Sequence, residues 1–96
     1  MSSLDPETLS PRRKRARFRA WHRGMREMDL ILGRFADTHL AQLDDSDLAE
    51  FEAILEILDR DLFQWIMGEK PTPAAFDTPL FARIRQTAAE SAGAAR

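Results

Sequence analysis

Arg23-Gly24-Met25-Arg26-Glu27 places two guanidinium groups, a residue with no side chain and a carboxylate within five positions. These types make and break hydrogen-bonded ion pairs rather than covalent bonds. Arginine offers a planar fork to a carboxylate or carbonyl, glycine lets a second backbone come close, and glutamate accepts from a basic group. The chemistry on offer is recognition. A plainer reading also accounts for the stretch: a helix corner with an acid in the following first turn and a base in the preceding last turn, each favoured by the helix dipole.

Other reactive residues are sparse. Cysteine is absent, which removes disulfides, thiolate nucleophiles and cysteine metal sites together. His22 has Met25 and Arg26 at i+3 and i+4, so no second ligand stands at helical spacing and neither a metal site nor a catalytic base is expected there. His39 reads as a surface or helix-end residue. Glu50, Glu52 and Glu56 could be taken for an acid–base pair, but nothing places two of them in a water-poor pocket, and they read as a solvated helix face. The sequence holds no Gly-rich phosphate loop, no internal repeat and no nucleophile–base constellation.

The 96 residues carry a net charge of −2 that conceals two unlike halves. Residues 1–26 hold eight basic residues against Asp5 and Glu7, a balance of +6, and the remaining seventy balance at −8. Such halves attract each other within one fold, or the basic one faces a partner. An arginine-rich first helix therefore raises an alternative function, a small regulatory or nucleic-acid-binding protein. An acidic domain without interleaved aromatics speaks for a solvated face instead.

The elements that would position these groups are all helical. Ser10-Pro11 is an N-cap followed by proline at the first helical position, opening a helix to about Arg23 pinned by Phe18 and Trp21. Gly24 ends it and re-aims the chain. A second helix, Met25 to Leu40, carries Met28, Ile31, Leu32 and Phe35 as a core stripe. Within it Gly33 either faces a close neighbour or is tolerated at a cost of up to ~1 kcal/mol. Asp44 or Asp45 caps a third helix with Leu48, Phe51, Ile54, Leu55 and Leu58 on one side. A short fourth, Leu62 to Met67, reads mostly as core, with Trp65 able to show an edge. Gly68 to Ala75 is a connection, and Thr78-Pro79 starts a fifth helix ending near Glu90. The expectation is all-α, a compact five-helix bundle over 10–90, with a disordered arm at 1–9 and a frayed tail at 91–96.

Residues 23–29, Arg-Gly-Met-Arg-Glu-Met-Asp, resemble the signature of the small succinate dehydrogenase assembly factors, which promote covalent attachment of FAD to the flavoprotein subunit. Asp61-Leu62-Phe63-Gln64-Trp65-Ile66-Met67, with Lys70-Pro71 after it, is similar to that family's second recurring stretch. The resemblance covers about residues 15 to 90. It implies an assembly factor and not an enzyme, whose partner is the flavoprotein subunit of succinate dehydrogenase, with a fumarate-reductase flavoprotein as an open second client. It implies partner-binding residues Arg23, Gly24, Met25, Arg26 and Glu27. No cofactor would be bound stably by this chain: FAD belongs to the partner, as does the histidine that takes the flavin's 8α carbon. A stand-alone flavin transferase, the enzyme-class rival, would need an FAD site for which no residues are evident. No run reaches the ~18–20 apolar residues that span a bilayer. The acid-containing start lacks a secretory pattern, so a bacterial cytoplasmic protein without membrane insertion is expected.

Overall fold

Ser10 begins the ordered architecture by a side-chain cap: its Oγ accepts from the Arg13 amide (3.3 Å) while Pro11 occupies the first helical position. The computed structural model describes residues 9–94, with side chains through Ser91. The five helices are α1 (Pro11–Trp21), α2 (Arg26–His39), α3 (Asp45–Leu55), α4 (Asp59–Ile66) and α5 (Pro79–Ala94). Single 3-10 turns at Leu40–Gln42 and Ala74–Phe76 join α2 to α3 and precede α5. There is no strand among the described residues. The caps inferred for α3 and α5 are in place: Asp44 Oδ1 accepts from the Asp47 amide (2.7 Å) and Thr78 Oγ1 from the Phe81 amide (3.2 Å).

The core is the convergence of the apolar stripes. Met28, Ile31, Leu32 and Phe35 of α2 meet Leu48, Phe51, Ile54 and Leu55 of α3, with Leu62 and Ile66 of α4 and Leu80, Phe81 and Ile84 of α5 completing it. The Phe35 and Phe51 rings tilt together with centroids 5.5 Å apart. Arg85 ties in the long connection by donating to the Trp65 carbonyl (3.3 Å) and to the Thr72 hydroxyl. Trp65 is half-buried and stacks on Phe76.

α1 attaches differently from expectation. Phe18 does not pin it: that ring is 61% exposed and stacks on His22 at 4.0 Å between centroids. The buried residues are Ala16 and Ala20, small enough to bring α1 close against α2. At that crossing the Trp21 indole lies over the backbone of Gly33, where any Cβ would collide with it. Gly33 is thus required by a close neighbour. The arginines supply the rest. Arg12 forms a fork on Glu52 (2.9 and 2.6 Å), and Arg13 donates to the carbonyls of Leu40 (3.2 Å) and Leu43 (2.5 Å). Arg17 pairs with Asp37 (2.7 Å), and Arg19 pairs with Glu56. The glutamates of α3 read as a solvated face are therefore partners: Glu50 takes the Thr78 hydroxyl, and Glu52 and Glu56 take arginines.

Hydrogen bonds from Arg12, helped by its charge, hold the Glu52 carboxyl below the ordinary glutamate range, and the same contact raises Arg12. A carboxyl lowered in the folded state contributes stability that is present above its unfolded value and lost as pH falls through its folded one. Glu52→Gln is accordingly expected to cost a little stability at pH 7, a difference that begins to narrow as pH falls below the ordinary glutamate value of about 4.3 and closes only below the lowered folded value. Urea midpoints of the two proteins across pH 3–7 check it, and a constant gap would remove the ion pair from the account.

Several boundaries differ from the sequence reading. α3 stops at Leu55 because the chain turns there, which leaves Leu58 outside the stripe and 66% exposed. α4 starts earlier, at Asp59, with Asp59 and Asp61 in its first turn. Within it only Leu62 and Ile66 are core, while Phe63 is half-buried and Met67 is 51% exposed. α5 runs on to Ala94 where fraying was expected from Ser91, as suits a segment rich in alanine, the best helix former. Of the expected N-terminal arm, residues 1–8 lie outside the described residues, but Leu9 is packed into the core.

Candidate partner-binding corner

α1 ends at Trp21, two residues before Arg23. The backbone leaves the helix at His22 (φ −127°, ψ 58°), whose Nδ1 donates to the Phe18 carbonyl (2.7 Å). Arg23 therefore lies in the connection and not in a last helical turn. Gly24 follows at φ +99°, a conformation L side chains rarely adopt, and open space surrounds the position a Cβ would take. Met25 is extended, with no side-chain cap, and α2 starts at Arg26 with Glu27 and Asp29 in its first turn.

Two acids fix this corner. Asp29 accepts from the Arg23 amide (2.5 Å), closing the loop across Gly24 back onto the first turn of α2. The Arg23 side chain, 9% exposed, points into the protein: Nε donates to Asp59 Oδ1 (2.7 Å), and the two terminal nitrogens donate to the carbonyls of Leu55 and Ile57. Those carbonyls close the end of α3, so one guanidinium joins the α1–α2 corner to the α3–α4 turn and satisfies helix-end groups that would otherwise lack donors. The fork foreseen for a carboxylate and a carbonyl finds both within its own chain.

The remaining motif residues face outward. Gly24, Arg26 and Glu27 are exposed and Met25 is half-buried against the core. Neither Arg26 nor Glu27 forms an ion pair among the described residues. Sequence reasoning missed Asp29 and Asp59, the two carboxylates that lock the corner. Asp29 was legible in principle, since an acid six residues after an arginine across a glycine turn can reach back to the loop amide. Asp59 had no local signal, being 36 residues away.

The arrangement can hold a rigid, charged surface and little else. Among the described residues no three His, Asp or Glu side chains gather as a metal site would require, and no helix is long and apolar enough to cross a membrane.

Comparison with known proteins places these features in a family. The family model described as "Flavinator of succinate dehydrogenase" matches residues 14–88. The FAD assembly factor SdhE of Acetobacter pasteurianus is 35% identical over 83 residues, covering 86% of this chain and 76% of that protein. The mitochondrial succinate dehydrogenase assembly factor 2 of Drosophila grimshawi is 32% identical over 82 residues, and that of Dictyostelium discoideum 33% over 73. The chain spans 56% and 52% of these two mitochondrial relatives. No solved structure matches. With nearly the whole helical array inside the matched region, the chain belongs to the family of flavinators of succinate dehydrogenase.

Proposed function

We propose that this chain is an assembly factor that promotes covalent attachment of FAD to the flavoprotein subunit of succinate dehydrogenase, and that it binds that subunit through the corner at residues 23–27. The supporting observation is the outward display of Gly24 in the loop and of Arg26 and Glu27 in the first turn of α2, a corner locked from behind by Arg23. A rigid loop loses little conformational freedom on binding, so more of its interaction energy appears as affinity.

Each residue then has a task. Gly24, with open space above it, admits the partner's backbone. Glu27 accepts from a basic group of the flavoprotein, and Arg26 adds a second charge. Met25 offers apolar contact at the loop edge, and Arg23 positions the others without touching the partner through its fork. FAD and the histidine that bonds to it belong to the flavoprotein. The flavin supplies the carbon electrophile, and the chaperone holds the partner in the geometry in which the bond forms. The setting is the bacterial cytoplasm, where the flavoprotein is made, and a fumarate-reductase-type flavoprotein is a second client to test.

Glu27→Ala is the cleanest probe. Glu27 is exposed and its removal costs the helix only about 0.3–1 kcal/mol of dipole interaction, whereas a substitution at Gly24 strains the backbone wherever it leads. In a strain lacking the gene, covalent flavin fluorescence on the denatured flavoprotein is expected to be restored by wild type and reduced about tenfold or more with Glu27→Ala. Full restoration by that variant would retire the corner as a contact site. An unchanged flavin band in the deletion strain would retire the function in that host.

The nucleic-acid alternative needs the cations of α1 to face outward. Arg12, Arg17 and Arg19 instead sit on Glu52, Asp37 and Glu56, and Arg13 on two carbonyls. Of the six cations of α1 only Lys14 and Arg15 are exposed without an ion pair among the described residues, so phosphate binding along this helix would have to displace carboxylates already in place, and the first reading is favoured.

A further inference from the structure

Beside the corner a groove of about 260 Å³ runs between α2, α4 and α5. Leu30, Phe63, Met67 and Ala88 line it, with Glu27 and Arg34 among its charged residues. Glu27 is the residue proposed above to touch the flavoprotein, so the groove begins where that contact lies. The two sequence stretches 23–29 and 61–67 meet across it: Glu27 from the first, Phe63 and Met67 from the second. Phe63 on α4 and Met67, the residue that caps its end, both line the opening, and Met67 stays 51% exposed, whereas Met28 on α2 is fully buried. A flexible thioether at an open apolar surface suits a binding face that adapts to its occupant.

We infer that this groove receives an apolar segment of the same flavoprotein, one carrying a basic group at the Glu27 end and an acidic group at the Arg34 end. The inference rests on the proposed role of the corner and extends its footprint. Charge selects the occupant. Glu27 and Arg34 are seven residues apart on α2, about 10 Å along its axis at 1.5 Å per residue, and neither forms an ion pair among the described residues. An apolar strip bracketed by opposite charges at that spacing matches a peptide of about two helical turns with a cation and an anion at its ends. An acyl chain offers neither charge. A second copy of this chain would meet the groove with its own groove in a two-fold contact, and two concave surfaces leave the apolar walls unfilled.

The test uses the full chain and the purified flavoprotein subunit, with affinity measured by titration calorimetry. Met67→Glu and Arg34→Glu alter exposed side chains, and thermal unfolding of each variant verifies the fold. Each is expected to weaken binding about tenfold or more, while Met67→Leu stays within twofold of wild type. Binding of both charge variants within twofold of wild type overturns the inference, and if Met67→Glu fails to fold, Arg34→Glu alone decides. If Glu27→Ala weakens binding and both groove variants do not, the corner stands and the groove falls. If the groove variants weaken it and Glu27→Ala does not, the groove's apolar wall and Arg34 end stand, while the corner and the basic group assigned to the Glu27 end fall. Self-association of the chain, abolished by Met67→Glu without loss of flavoprotein affinity, overturns the inference in favour of a second copy.

Discussion

Arg23→Ala should lower the stability of the domain by about 3 kcal/mol, at the lower end of what breaking a buried ion pair costs. Three groups lose their partner at once: the Asp59 carboxylate, 19% exposed, and the carbonyls of Leu55 and Ile57. Asp59 keeps enough contact with water to recover part of its solvation, which places the loss below the value for a fully enclosed charge. For a chain of this size that corresponds to a fall of roughly 12–20 °C in Tm, a large share of the 5–15 kcal/mol typical of a domain. Calorimetric unfolding at pH 7 measures it. Asp59→Asn, which leaves an oxygen to accept from Arg23, should lose less than half as much. A loss under about 1 kcal/mol for Arg23→Ala would mean that the guanidinium does not hold the corner. On the function proposed above, the variant should also support flavinylation of the flavoprotein poorly at temperatures where it is still folded, since the corner that presents Glu27 would no longer be fixed.

Gly33→Ala should destabilise as well, although alanine is the better helix former by ~1 kcal/mol. The added methyl would sit 2.6 Å from Cε3 of Trp21 and closer still to Cδ2 and Cε2. A rigid indole tied to Asp37 through Nε1 cannot yield as a flexible chain end does. Overpacking of this kind costs about 1–3 kcal/mol. Displacing the indole also breaks the bond from Nε1 to Asp37 (3.2 Å), worth about 1 kcal/mol. The net expectation is a loss of about 2 kcal/mol, with a shift in tryptophan emission as the ring moves into water. Trp21→Leu introduced into the Gly33→Ala background should recover part of the loss, giving a coupling of about 1 kcal/mol in a double-mutant cycle. A neutral or stabilising Gly33→Ala would contradict the close crossing of α1 and α2.

How much of this could be read from the chain differs by the range of the interaction. Ser10, Asp44 and Thr78 were legible as caps because a cap acts within three residues, and Gly24 was legible as a corner because its backbone angle is a local demand. The apolar stripes of α2 and α3 identified most of the core for the same reason, periodicity being a property of one helix. What escaped was every interaction that joins distant segments. The fork of Arg23 reaches Asp59, 36 residues on, and a sequence gives no sign of whether an arginine points outward or in. Phe18 and Trp21 share a helical face by spacing, yet only Trp21 meets α2, because close approach at Ala16, Ala20 and Gly33 leaves no room beside them for a second ring. Met67 looked like core by composition, and its exposure follows from α4 ending at Ile66, one residue earlier.

The ion pairs of the first helix also govern how the sequence can drift. Arg12, Arg17, Arg19 and Arg23 are joined to acids 20 to 40 positions away, one partner each. An arginine lost from this stretch strands a carboxylate elsewhere in the fold, and an acid lost there strands an arginine. Double replacement, or exchange of charge between the two sites, therefore costs least, above all at the buried Arg23–Asp59 pair. The +6 start and the −8 remainder are in this sense linked through four pairs, and only charges outside them, such as Lys14, Arg15 and Arg26, which form no ion pair among the described residues, can change alone.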